Sequence, residues 1–192
     1  MFRLFTPTKD EIDRFIGSRE ADSHSYPEVC ATRETPFPDG YVVDHNRQLL
    51  GSGLEDFQRA KAAIRSWTMF SVPGITLFYT DTPIETGRNV AMLAEHLGFC
   101  SLNSCRIVYV IDEPQRFGFA YGTLTEHVEV GEERFTVEFH PDSGEVWYDL
   151  LAFSKPGHPL VKLGYPYGRY LQKQFAIGSK AAMLRFCQNR ER

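Results

Sequence analysis

The sequence predicts an α+β fold, a curved seven-stranded antiparallel sheet wrapped around a long C-terminal helix. Three observations carry that expectation. From Leu102 to Phe153 the chain is a succession of strand-like runs broken by short turns. From His158 to the end it follows one long amphipathic pattern. No helix separates the successive strands, which excludes parallel βαβ units and leaves antiparallel neighbours joined by tight turns. A sheet that curls around a single helix tends to leave an apolar hollow between the two.

Taken in order, Thr8-Lys9-Asp10-Glu11 has the form of a capping box, and Ile12, Phe15 and Ile16 follow at helical spacing before Gly17. A short helix is expected there. Residues 18–40 are polar and carry Pro27, Pro36 and Pro38, the composition of an extended segment laid over the body, with Tyr26 and Phe37 as its anchors. Tyr41 to His45 reads as a short strand. Leu54, Phe57, Ala60, Ile64 and Trp67 then repeat at three and four residues and predict an amphipathic helix. Strands follow near Ile75 to Thr80, Asn89 to Leu97, Cys105 to Asp112, Arg116 to Leu124, Glu132 to Phe139 and Glu145 to Phe153. Two of their turns are well marked, Asp112-Glu113-Pro114-Gln115 and His140-Pro141-Asp142-Ser143-Gly144. The closing helix shows Leu160, Leu163, Tyr167, Leu171, Phe175, Gly178, Ala182 and Phe186 along one stripe. Pro166 must kink it or begin a second segment.

The 192 residues suit one domain on a prior of roughly 150 residues per domain. Residues 1–40 are read as an N-terminal extension and 41–190 as the body. The 15 Phe and 9 Tyr favour a strand-rich interior, since flat rings pack well on a pleated surface. A net charge of −4 gives no basic footprint for nucleic acid. The N-terminus turns polar at Thr6, too early for a signal peptide, and no apolar run approaches the ~20 residues of a membrane helix. A soluble cytoplasmic protein is expected. Cys30, Cys100, Cys105 and Cys187 have neither the density of a disulfide framework nor a second Cys or His pair, so free thiols and no metal are expected. No cofactor motif is present.

Several segments together resemble a known family. They are Gly51-Ser52-Gly53 before the helix that ends at Trp67, Cys105-Arg106-Ile107-Val108-Tyr109-Val110, Phe117 to Thr123, Gly131-Glu132-Glu133-Arg134-Phe135, and Ala152-Phe153-Ser154-Lys155-Pro156. From about Tyr26 to Ala182 the chain is similar to the domain of unknown function 1990 family, a relative of the Bet v 1-like, START-type helix-grip proteins. The resemblance implies a strand, a helical segment, six antiparallel strands and a C-terminal helix gripped by the sheet. It implies no established activity. Many helix-grip proteins have two short helices after the first strand, where this sequence shows one strong pattern plus Ser71 to Gly74.

The candidate site residues follow from strand alternation. Phe135, Val137 and Phe139 share one face, while Glu132, Arg134, Thr136 and Glu138 share the other, expected to face water. Glu133 falls on the apolar face, where a carboxylate needs a partner or acquires a raised pKa. Phe117, Phe119, Tyr121 and Thr123 alternate with small residues, and an inward Tyr121 would offer a hydroxyl among rings. Gly118 and Gly122, opposite them, mark curvature or the close packing of another segment. Asp44-His45 is the one histidine pair worth testing as an acid/base. Gly51-Ser52-Gly53 is better explained as a cap and turn than as an anion loop. The expected ligand-binding set is Glu133, Tyr121, Phe119, Phe135, Tyr109 and His45, with no catalytic residue assigned. The expected function is binding of a hydrophobic small molecule or lipid between sheet and helix. The alternatives are a cyclase- or hydrolase-like enzyme in the same hollow, or a ligand-free protein-interaction module.

Overall fold

The computed structural model describes residues 2–96 and 98–189. Its strands are β1 (Phe2–Arg3), β2 (Val42–Ser52), β3 (Ile75–Phe78), β4 (Asn89–Glu95), β5 (Cys100–Glu113), β6 (Arg116–Thr123), β7 (Glu129–Phe139) and β8 (Glu145–Pro156). The helices are α1 (Lys9–Gly17), α2 (Gly53–Arg65), α3 (Pro159–Leu163) and α4 (Tyr165–Gln188), with 3-10 turns at Ala31–Arg33 and Thr68–Phe70. Seven strands run in the order β2-β8-β7-β6-β5-β4-β3, every pair antiparallel, and curl into a half-barrel. The short β1 pairs with Cys100 and Ser101 of β5, below the point where β6 begins its pairing at Cys105.

The capping box forms as expected. Thr8 Oγ1 accepts from the Glu11 amide, and Glu11 Oε2 accepts from the Thr8 amide at 2.8 Å. β2 is longer than the strand expected at Tyr41 to His45 because its polar stretch Asn46-Arg47-Gln48 still pairs fully with β8. At its end Asp56 caps α2 by accepting from the Ser52 amide at 2.8 Å, and a Cβ on Gly51 would lie 2.1 Å from that carboxylate. The expected helical segment after β2 is completed by the Thr68–Phe70 turn, entered through Trp67 in the left-handed region (φ 56°). Leu97 lies outside the described residues, as does the side chain of Leu160.

The concave face of the sheet is filled at one end. Phe57, Ile64, Trp67 and Met69 pack there on Phe119, Phe135, Val137 and Tyr148, all at most 2% exposed. Burying side chains of this size contributes roughly 1.5–3 kcal/mol each.

The convex face departs from expectation. Glu132 is 2% exposed because the Tyr26 to Thr32 stretch bonds over it, and Thr136 on the same face is also fully buried. α1 covers Ala91, Leu93 and Leu102 with Ile12 and Phe15. Farther along, Tyr26 lies so close to β6 that a Cβ on Gly122 would stand 2.0 Å from its hydroxyl. Phe37 is only half-buried.

The C-terminal helix lies over the concave face, with Pro166 in its first turn and α3 as a separate segment before it. Its contact face matches the expected stripe only in part, since Ala182 is buried and Leu171 and Phe175 line the cavity. Ala176, Ser179, Ala182, Met183 and Cys187 are buried, whereas Leu163 is 85% exposed and Tyr167 and Phe186 are also exposed. Small residues let the helix backbone approach the sheet and α2, a need that a count of large apolar residues does not register. No helix among the described residues is long and apolar enough to cross a membrane.

Candidate functional site

Between the concave face and the first half of α4 lies a cavity of about 1070 Å³. Its walls include Ile75 and Met92 from the β3-β4 edge, Leu150 and Ala152 from β8, and Leu171 and Phe175 from α4. Phe70 separates it from the filled end, with ring centroids 5.4 Å from Phe135, 6.1 Å from Tyr121 and 5.6 Å from Phe175. Polar tethers hold α4 across this end. Arg169 donates to both carboxylate oxygens of Asp44 at 2.6 Å, Gln172 donates to Ser154 at 3.2 Å, and Ser179 meets the Tyr148 hydroxyl at 2.8 Å. Contacts made by side-chain tips keep helix and sheet apart where direct apolar packing would close the gap.

One row of residues crosses the sheet beneath the cavity. Strand register sets Asp44 opposite Ala152, Ala152 opposite Glu133, and Glu133 opposite Tyr121. Ala152 is small and leaves room above Glu133. The Tyr121 hydroxyl donates to Glu133 Oε2 at 2.8 Å, and no Lys or Arg pairs with that carboxylate among the described residues. Burial pushes the Glu133 carboxyl up to about 7, the Tyr121 bond pulls it down in part, and the charge of Asp44 adds to the rise. Burial also holds the Tyr121 phenol well above its ordinary value, so it remains a donor. Glu129, 3.9 Å from where a Cβ on Gly168 would sit, is raised by burial to about 7 as well, with the charge of Arg169 pulling it down in part. His127 also lines the cavity, and burial lowers it to about 4.

The sequence-predicted residues fall in three places. Glu133 and Tyr121 meet in the cavity wall. Phe119 and Phe135 are wholly buried in the aromatic packing behind it. Tyr109 and His45 lie on the convex side. A bulge at Val108 shifts the β5 register between Ile107 and Tyr109, so Tyr109 pairs with Ala120 and its hydroxyl meets Thr32 Oγ1 at 2.6 Å. The His45 ring, half exposed, bonds Asp149 Oδ2 at 2.6 Å, where Arg134 and Arg47 also reach that carboxylate.

With this geometry in view, comparison with known proteins places the chain. The model of the family described as domain of unknown function (DUF1990) matches residues 25–182. The chain belongs to this family. A UPF0548 protein of Dictyostelium discoideum is 35% identical over 205 residues, covering 96% of this chain and 95% of the relative. A UPF0548 protein of Arabidopsis thaliana is 37% identical over 155 residues, covering 77% and 74%. Among solved structures, hypothetical protein jhp0584 from Helicobacter pylori aligns with a TM-score of 0.51 at 14% identity, over 87% of this chain and 97% of that one. Protein Ms6760 from Mycobacterium smegmatis gives 0.51 at 12% identity, over 78% and 93%. At such identities the likeness concerns the fold alone, an antiparallel sheet curled around a C-terminal helix.

In this DUF1990 chain several functional-looking residues escape sequence reasoning. Glu129 shares the parity of Glu133 and would have been found had β7 been extended by one turn of alternation. The Asp44–Arg169 pair spans 125 positions, and nothing local announces it. Glu132 is the largest surprise. Its carboxylate accepts from the Tyr26 hydroxyl at 2.7 Å, the Cys30 amide at 2.7 Å, the Thr32 amide at 2.9 Å, and the Thr32 hydroxyl. Arg134 beside it donates to the Thr32 carbonyl at 2.8 Å. These bonds clasp the extension to β7.

Proposed function

We propose that the protein binds a hydrophobic small molecule or lipid in the cavity between sheet and C-terminal helix, with Glu133 and Tyr121 as its polar anchor. The observation that carries this reading is an apolar-walled space of about 1070 Å³ holding one carboxyl with a single hydrogen-bond partner. Ligand pockets are typically ~300–1,000 Å³, mostly apolar, with a few placed polar groups. A filled interior would have supported an interaction module instead.

The test is native mass spectrometry of freshly purified protein, followed by extraction of whatever is bound. An added apolar mass that disappears in the cavity-filling variant Ala152→Phe supports the reading. Wild-type protein without any bound mass, which also fails to take up a neutral apolar fluorophore, overturns it.

One observation favours a second reading. A carboxyl raised to about 7 by burial, beside a phenol that stays protonated, is suited to proton transfer near neutral pH. In an enzyme of this kind Glu133→Gln abolishes turnover while leaving uptake of the apolar molecule intact. In a binding protein the same change lowers uptake.

A further inference from the structure

Among the described residues, no Lys, Arg or His pairs with the Glu133 carboxylate in the cavity wall. Every positively chargeable side chain that borders the cavity or its tethers is accounted for. Arg169 is held by Asp44 at 2.6 Å, and Arg3 is held by Glu11 at 3.1 Å. His45 turns to Asp149 on the other face. His96 and His127 are shifted down by burial and stay neutral. Lys173 stands exposed at the rim. Against these, Glu133 has the Tyr121 hydroxyl as its hydrogen-bond partner, and Glu129, with neither an ion pair nor a hydrogen bond from its carboxylate among the described residues, feels the charge of Arg169 only at a distance.

From this imbalance we infer that the ligand is an apolar molecule ending in an ammonium group, which Glu133 receives inside the cavity with Glu129 in the same wall. The inference rests on the binding reading above and names its chemical class. A buried carboxylate without a cation is unfavourable, and the cheapest compensation is a positive group brought by the ligand. The same wall repels a fatty acid or phosphate head, since like charges in a poorly solvated site discriminate strongly against the wrong partner. A neutral alcohol would donate one hydrogen bond to the Glu133 carboxylate and leave its charge uncompensated. Burial raises Glu133 to about 7 and the charge of Asp44 adds to the rise, with no cation offsetting it. Tyr121 holds one oxygen of Glu133 in place, so the other is oriented before any ligand arrives.

The experiment is isothermal titration of the full chain at pH 8 with dodecylamine, dodecanol and dodecanoate, each below its micelle concentration. The three share one apolar tail and differ only at the head. Dodecylamine is expected to bind at least tenfold tighter than dodecanol, and dodecanoate weakest. In Glu133→Gln the advantage of the amine over the alcohol should fall at least tenfold, while a far-UV circular dichroism spectrum equal to wild type shows that the variant is folded. Dodecanol or dodecanoate binding as tightly as the amine overturns the inference while leaving the cavity reading intact. An amine preference that survives in both Glu133→Gln and Glu129→Gln also overturns it. If none of the three binds, both readings fall.

Discussion

Glu132 and Glu133 are neighbours in one strand and carry the same charged group, yet the sheet divides them into opposite roles. Glu132 points to the convex side and receives four donors from the segment laid over it. Glu133 points to the concave side, receives one donor and faces an apolar space. A carboxylate saturated by the protein's own amides and hydroxyls is a structural fastener. One left with a single donor beside a cavity has bonding capacity reserved for something else.

The largest effect that would break this contrast is at Glu132. Glu132→Ala strands the Tyr26 hydroxyl and the amides of Cys30 and Thr32, and is expected to destabilise by on the order of 3–5 kcal/mol. Urea denaturation measures it, and a midpoint equal to wild type would show that the clasp is incidental. Gly122→Ala attacks the same contact from β6. Its Cβ would fall 2.0 Å from the Tyr26 hydroxyl, and displacing that ring is expected to destabilise by about 2 kcal/mol. Both variants should retain the apolar cavity, because they act on the other side of the sheet.

Glu133 should behave in the opposite sense. Its carboxyl is near 4.5 when unfolded and about 7 when folded, so the native state keeps a proton that the unfolded chain releases. Its contribution is therefore neutral below pH 4.5, and stability is lost as pH rises toward 7. Glu133→Gln is expected to match wild type at pH 4.5 and to exceed it by roughly 1–2 kcal/mol at pH 8. His127, about 4 folded against an ordinary 6.5, opposes this, since stability is lost as pH falls from 6.5 toward 4. For that reason the quantity to read is the difference between wild type and variant across the pH series. A variant less stable than wild type at pH 8 would make Glu133 a second fastener.

The smallest effect is expected at His45. Its half-exposed ring shares Asp149 with Arg134 and Arg47, so His45→Ala should destabilise by less than about 1 kcal/mol and leave uptake of an apolar ligand unchanged. Loss of uptake would bring the first strand's histidine back into the site.

What could be read from the sequence was what alternation and turn chemistry decide locally. Phe135, Val137 and Glu133 share the concave face because every second residue must. The capping box at Thr8 and the break at Pro166 depend on the residues beside them. The misread features depend on distant ones. Glu132 sits on the correct face but is buried, because a segment a hundred residues earlier covers it; Thr136 on that face is buried too, so Thr136→Asp is expected to destabilise rather than to cost little. Tyr109 was turned by a bulge at Val108 that no glycine or proline announces. On α4 the expected stripe includes the buried Ala182 but misses Ala176 and Ser179, since close approach of a helix selects small side chains. The Glu133–Tyr121 pair was legible from parity alone, whereas Glu129 required the true start of β7.

The contrast between the two glutamates reduces to one measurement, a carbon-detected NMR titration of the Glu133 carboxyl in the full-length chain, repeated with a neutral apolar molecule added. A midpoint near 7, with the resonance moving when the apolar molecule is added, is the predicted result. An ordinary glutamate titration near ~4.3 with no response to that molecule would contradict the account, for it would mean that Glu133 is solvated and the cavity is not a binding site.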